Sequence, residues 1–173
     1  MLNPTAFGVL EQFFYSGMER LQANKIISDT GLDFKTVKKY LKNLIKLGLI
    51  REHKDLSIPT YEANYRNRYF LSLKRERILD QIFTSGLPYY MDQKLGEKAC
   101  ILFGSCARGD YYEDSDIDIL IQSKRTRLDM QTYERILKRK INLLFEERWQ
   151  DLSKGMKTGL LNDGIAINGR LMA

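Results

Sequence analysis

ACILFGSCARGDYYEDSDIDILIQ, residues 99–122, is the stretch on which the fold of the second half of this chain turns. Ala99 to Phe103 is a short apolar run that reads as a strand, Gly104-Ser105 interrupts it with a turn, and Cys106 to Gly109 begins a short helix. A second strand follows at Asp116-Ile117-Asp118-Ile119-Leu120-Ile121. Residues two apart on a strand project from one face, so Asp116 and Asp118 stand together while Ile117, Ile119 and Ile121 turn into a core.

Two adjacent carboxylates repel each other unless a positive charge sits between them, and hard-cation sites are built in this way. Upstream, Gly104 lets a phosphate approach the backbone, and the Ser105 hydroxyl can bond a phosphate oxygen. A glycine-serine turn and an Asp-x-Asp pair are each common alone, as an ordinary turn and as solvated surface. Their combination is specific: an apolar strand, Gly-Ser, ten residues, then Asp-x-Asp heading a second apolar strand. Magnesium on carboxylates beside such a turn suits phosphoryl or nucleotidyl transfer.

In order and spacing, FGSCARGDYYEDSDIDILI closely resembles the minimal nucleotidyltransferase branch of the DNA polymerase beta superfamily, over a stretch from about Leu95 to the C-terminus. The resemblance implies Gly104 and Ser105 at a triphosphate, and Asp116 and Asp118 as ligands of two magnesium ions. It also implies Arg108 and Gly109 as support for the phosphate turn, with ATP or another nucleoside triphosphate as substrate. The family's third carboxylate helps to deprotonate the attacking hydroxyl. The matching strand here is Ile141 to Phe145, which puts Asn142 in that place. An amide cannot take a proton. Glu146, of the same strand parity as Asn142, is the expected substitute, ahead of Glu147.

Upstream, Asn3-Pro4 reads as the cap and first residue of a helix carrying Phe7, Leu10, Phe13 and Phe14. A short helix over Ala23 to Thr30 stops at Gly31, with Ile26 and Ile27 inward. Asp33 caps a third helix, apolar at Phe34, Val37, Leu41, Leu44 and Ile45 and closed by Gly48. LIREHKDLSIPTYEANY then reads as two short strands about a polar turn. Three helices and a hairpin resemble a winged helix-turn-helix. Lys35, Lys38, Lys39, Lys42 and Lys46 repeat at the helical period away from the apolar stripe, with Thr36, Tyr40 and Asn43 among them. Such a stripe is a solvated face, a protein-binding surface or a contact to DNA phosphates; the last is the expectation carried forward, with Arg51, His53 and Lys54 at the wing.

Charge follows the same division. Residues 1–80 hold 14 Lys+Arg against 9 Asp+Glu, so most of the formal net charge of +6 lies there. Hydrophobic residues at 43% exclude a wholly disordered chain, and no apolar run is long enough to span a membrane. MLNPTAFGVLEQ lacks the basic-then-apolar pattern of a signal peptide, and reduced thiols at Cys100 and Cys106 suit a cytoplasmic protein. A single histidine, His53, leaves no room for a multi-histidine zinc cluster. Cys106 reads as a structural thiol. The basic residues Lys124, Arg125 and Arg127, and Lys138, Arg139 and Lys140, flank a helix over Leu128 to Leu137 and read as its solvated ends ahead of contacts to nucleotide phosphates or nucleic acid. Trp149 and the Tyr111-Tyr112 pair are read equally as base-stacking or packing residues, and GIAINGRLMA as a closing strand.

The expected fold is α/β in two domains: a winged helix-turn-helix at 1–63, a linking helix at 64–90, and a nucleotidyltransferase-like mixed sheet with helices on one side at 91–173. The expected function is a DNA-binding protein whose second domain binds a nucleoside triphosphate with magnesium. It transfers the nucleotidyl group to a hydroxyl of a small molecule or of a protein, as in the toxin-modifying antitoxins of the family. The rival reading is a non-enzymatic transcriptional regulator using the same fold as a nucleotide sensor or homodimerisation platform.

Overall fold

Local capping starts the first half where the sequence predicts. Asn3 accepts the Ala6 amide at 2.8 Å and begins α1 (Pro4–Tyr15). Asp33 accepts the Thr36 amide at 3.0 Å and begins α3 (Phe34–Lys46). Hydrogen bonds from Thr36, the side chain first and then the amide, hold the Asp33 carboxyl below its ordinary pKa. Between them α2 (Ala23–Thr30) ends at Gly31, whose left-handed backbone (φ 67°) suits glycine. Strands β2 (Ile50–His53) and β3 (Thr60–Ala63) form the antiparallel hairpin. A two-residue strand that periodicity missed, β1 (Leu21–Gln22), joins the other edge of β3 and gives the order β1-β3-β2.

The computed structural model describes residues 2–55 and 57–171. Leu56 in the expected turn, and Met172 and Ala173 of the expected closing strand, lie outside them. The chain divides into two compact units, Met1–Lys74 and Arg75–Ala173, and the division falls inside α4 (Arg68–Thr84). In the first unit Leu10, Phe13, Phe14, Ile26, Val37, Leu41, Leu44 and Tyr61 form one core, with Phe70 edge-on to Phe14 at 5.5 Å. Phe34 departs from the expected stripe. It is 58% exposed, with Lys38 Nζ 5.7 Å from its ring centroid.

The second unit contains a four-stranded mixed sheet in the order β6-β5-β4-β7. Its strands are β4 (Cys100–Phe103), β5 (Ile117–Ile121), β6 (Ile141–Phe145) and β7 (Ile165–Asn168), with β5 and β6 parallel and the other pairs antiparallel. Around it lie α5 (Leu87–Leu95), α6 (Gly104–Arg108), α7 (Gln131–Leu137), a 3-10 turn (Trp149–Asp151) and α8 (Lys154–Asp163). Helices α5 and α8 are additions to the sequence reading.

On one sheet face Ile101 and Leu120 pack with Leu152, Trp149 and Leu160 of α8. On the other, Cys100, Leu102, Ile117, Ile119 and Ile121 are also fully buried. Both faces are therefore covered, a correction to the expected helices on one side. Alternating residues of β4 and β5 are apolar on both faces, and each apolar face needs a cover.

Candidate active site

Antiparallel pairing puts the end of β4 beside the start of β5, with Phe103 opposite Asp118. Gly104 turns the chain there with φ 74°. A Cβ built on it would lie 2.5 Å from Asp118 Oδ2, so the room that glycine leaves is filled by a carboxylate. Asp116 immediately precedes β5, and its backbone carbonyl accepts the buried Cys106 thiol at 3.3 Å. This gives Cys106 a structural place. Burial pushes the other thiol, Cys100, up to about 11, so it is not a thiolate at neutral pH.

Parallel pairing of β5 with β6 sets Asn142 opposite Asp118. The Asn142 amide nitrogen donates to Asp116 Oδ2 at 3.0 Å and to Asp118 Oδ1 at 3.1 Å. Both partners are acceptors when ionised, so the NH2 group, with its two protons, is the end of the amide that faces them. The pair is thus bridged by a neutral donor.

Glu146 does not join this site. It lies four residues beyond Asn142, about 13 Å along the strand. There its amide donates to Ile121 O at 3.1 Å, and its side chain lines a cleft with Ser123, Lys124 and Arg125. A larger cleft of about 760 Å³ opens at that same far end, with Lys94, Lys98, Lys124 and Arg170 mixed with Glu97 and Glu147. It is remote from the carboxylate pair.

The remaining predicted residues divide by what they touch. Ser105 is half-buried in the first turn of α6. Arg108 is paired with Asp110 at 3.0 Å, and Gly109 ends α6 in the left-handed region with φ 81°. Arg139, expected at a solvated helix end, is instead 8% exposed. It donates to the carbonyls of Tyr112 and Ser115 at 2.7 and 2.6 Å and lies over the Tyr111 ring at 4.9 Å. This clamp fixes the loop leading into Asp116. Spacing alone had no signal for it, since one helix end carries three basic residues and only packing selects the inward one.

Hard oxygen donors from Asp116 and Asp118 fit one magnesium ion that completes its shell with water and phosphate oxygens. Among the described residues no three His, Cys, Asp or Glu side chains gather to hold a metal. The side chain that faces both aspartates from β6 is the Asn142 amide, a hydrogen-bond donor. Gly104→Ala is expected to cost about 1–2 kcal/mol from the left-handed backbone alone, with further loss from displacing Asp118. Thermal denaturation should show a melting point lowered by roughly 5–15 °C. An unchanged melting point would contradict the close approach of Asp118.

In the first unit Lys35, Lys39, Lys42 and Lys46 are exposed on one side of α3. Lys38 is turned towards the sheet, donating to the Tyr61 hydroxyl at 3.0 Å. Thr36 is spent on its cap, donating to Asp33 Oδ2 at 2.6 Å. The hairpin's basic side chains have local partners: Arg51 donates to Asn64 at 2.6 Å, His53 lies 2.8 Å from Glu62, and Lys54 lies 3.3 Å from Glu52. Trp149 and Tyr111 belong to packing, whereas Tyr112 is 42% exposed. No described helix is long and apolar enough to cross a membrane.

Residues 86–161 match the family described as the nucleotidyltransferase domain. That segment contains α5, the Gly-Ser turn, both aspartates and β6. The second unit therefore carries a nucleotidyltransferase domain, which indicates nucleotidyl transfer in general terms. No curated protein matches the chain.

Proposed function

We propose that the chain is a DNA-binding nucleotidyltransferase, with a winged helix-turn-helix in its first unit and a site for a nucleoside triphosphate and magnesium in its second. The observation that carries the catalytic half is the apposition of Gly104, Asp116 and Asp118 within a segment that matches the nucleotidyltransferase domain. Asp116 and Asp118 would hold the metal, which when bound offsets phosphate charge and polarises the α-phosphorus. Gly104 keeps the Asp118 carboxylate against the turn, and Ser105 supplies a hydroxyl to a phosphate oxygen. The Arg139 clamp and the Cys106 thiol hold the Asp116 backbone, so the carboxylates keep their spacing as the nucleotide binds.

Support for the DNA-binding half is the row of exposed ammonium groups at Lys35, Lys39, Lys42 and Lys46. Lysines neutralise phosphates and hold register but read little sequence. Changing Lys35, Lys39 and Lys42 together to Ala is expected to weaken duplex binding and to flatten the log affinity against log salt slope by about 0.9 for each lost phosphate. Lys38→Ala should change that slope least, because its ammonium is engaged with Tyr61. Fluorescence anisotropy across a salt series reads both. A triple variant with the parent slope would reassign the first unit as a protein-interaction module.

A further inference from the structure

Around the end of α7 and the residues leading into β6 opens a third cleft, of about 660 Å³, lined by Gln131, Glu134, Arg135, Lys138, Arg139 and Lys140. Its one carboxylate is occupied, since Glu134 Oε1 accepts the Ile141 amide at 3.0 Å. Its one buried cation is occupied too, since Arg139 is the clamp on Tyr112 and Ser115. Arg135, Lys138 and Lys140 remain exposed and have no acidic partner among the described residues. The cleft lies at the carboxylate end of the sheet. Lys140 is two residues before Asn142, and its carbonyl accepts the Ile117 amide, next to Asp116, at 2.8 Å.

The chemistry required there follows from what Asn142 cannot do. A hydroxyl acceptor must lose a proton as it attacks, and a positioned base typically supplies about 10²–10⁴-fold in that step. Asn142 cannot serve, and Glu146 stands at the other end of the strand. An acceptor whose oxygen is already ionised needs no base, although its charge must be accommodated. A phosphate monoester meets both conditions, being largely dianionic above its second pKa of about 6. The exposed ammonium groups of Lys138 and Lys140 in this cleft would hold it, with the Arg135 guanidinium, whose Nε also donates to Gln131 O at 3.4 Å, beside them.

We infer that the acceptor is a phosphate monoester rather than an alcohol, an inference that rests on the nucleotidyl-transfer reading. An anionic oxygen of the acceptor phosphate forms a bond to the α-phosphorus of the nucleotide. The bond from that phosphorus to the bridging oxygen breaks, and pyrophosphate leaves with the electron pair. No proton changes hands, and the product is a phosphoanhydride joining nucleotide and acceptor.

The test compares ribose 5-phosphate with ribose, using the full chain, magnesium and ATP labelled at the α-phosphate. Label is expected to pass to ribose 5-phosphate at least about 10²-fold faster than to ribose. The double change Lys138→Glu with Lys140→Glu should raise KM for ribose 5-phosphate by tenfold or more while leaving KM for ATP as it was. Equal transfer to ribose, or a KM for ribose 5-phosphate indifferent to the charge reversal, overturns the inference. A binding measurement separates it from the reading beneath it. Calorimetry with ribose 5-phosphate alone, without nucleotide or metal, should register binding that the charge-reversed variant loses. If no acceptor takes label, nucleotidyl transfer is refuted, and absence of that binding would refute the phosphate site as well.

Discussion

Asn142→Asp is expected to raise nucleotidyl transfer to hydroxyl acceptors by about 10²–10⁴-fold, the usual worth of a positioned general base. The substitution replaces a donor lying 3.0 and 3.1 Å from two carboxylates with a third carboxylate. It therefore provides both a proton acceptor and a further hard ligand. Repulsion among three like charges has a separate signature. Without metal the variant should melt below the parent, and magnesium should raise its melting point more than it raises the parent's. Glu146→Gln should leave transfer unchanged, because that side chain lies about 13 Å along β6 from Asn142. The reverse pattern, with Glu146→Gln inactive and Asn142→Asp silent, would show that the base comes from the far end of the strand. Rates with a hydroxyl acceptor and melting curves with and without magnesium decide it.

Changing Asp116 and Asp118 together to Asn is expected to abolish magnesium-dependent nucleotide binding while the domain stays folded. Even partners one step removed from a metal are typically worth 10–100-fold in affinity, so losing two direct ligands should cost at least about 10²-fold. Folding is spared for a local reason. Each new amide can turn its oxygen towards the Asn142 NH2, which keeps both hydrogen bonds, and the charge repulsion disappears. Calorimetry with ATP, with and without magnesium, reads the binding, and thermal denaturation reads the fold. If the double variant bound magnesium-ATP as the parent does, these carboxylates would not be metal ligands, and the site would have to be sought elsewhere in the second unit.

Much of the candidate site was legible because its signals are local. Alternation in DIDILI placed Asp116 and Asp118 on one face, and the glycine-serine turn marked the end of β4. Three-and-four spacing in FKTVKKYLKNLIK separated the buried Val37, Leu41 and Leu44 from the exposed Lys35, Lys39, Lys42 and Lys46. Two helices escaped for an equally physical reason. LPYYMDQKL and KGMKTGLLND bury few residues each, so neither shows a strong apolar stripe against which periodicity could be read.

By itself, then, the sequence determined most of the segments that become strands and helices, and which residue types stand at the Gly-Ser turn and the aspartate pair. Backbone sterics and hydrophobic periodicity act over a few residues, and those terms can be read from neighbours alone. Only the tertiary structure decided what the side chains meet. The parallel register that brings Asn142 to Asp118 joins residues 24 apart. The inward turn of Arg139 depends on carbonyls at Tyr112 and Ser115, and that of Lys38 on the hydroxyl of Tyr61 on β3. Each of these choices depends on a partner distant in sequence. A lysine or arginine carries the same charge in solvent or beneath a loop, and its place is decided by whether an acceptor is waiting where the chain folds back.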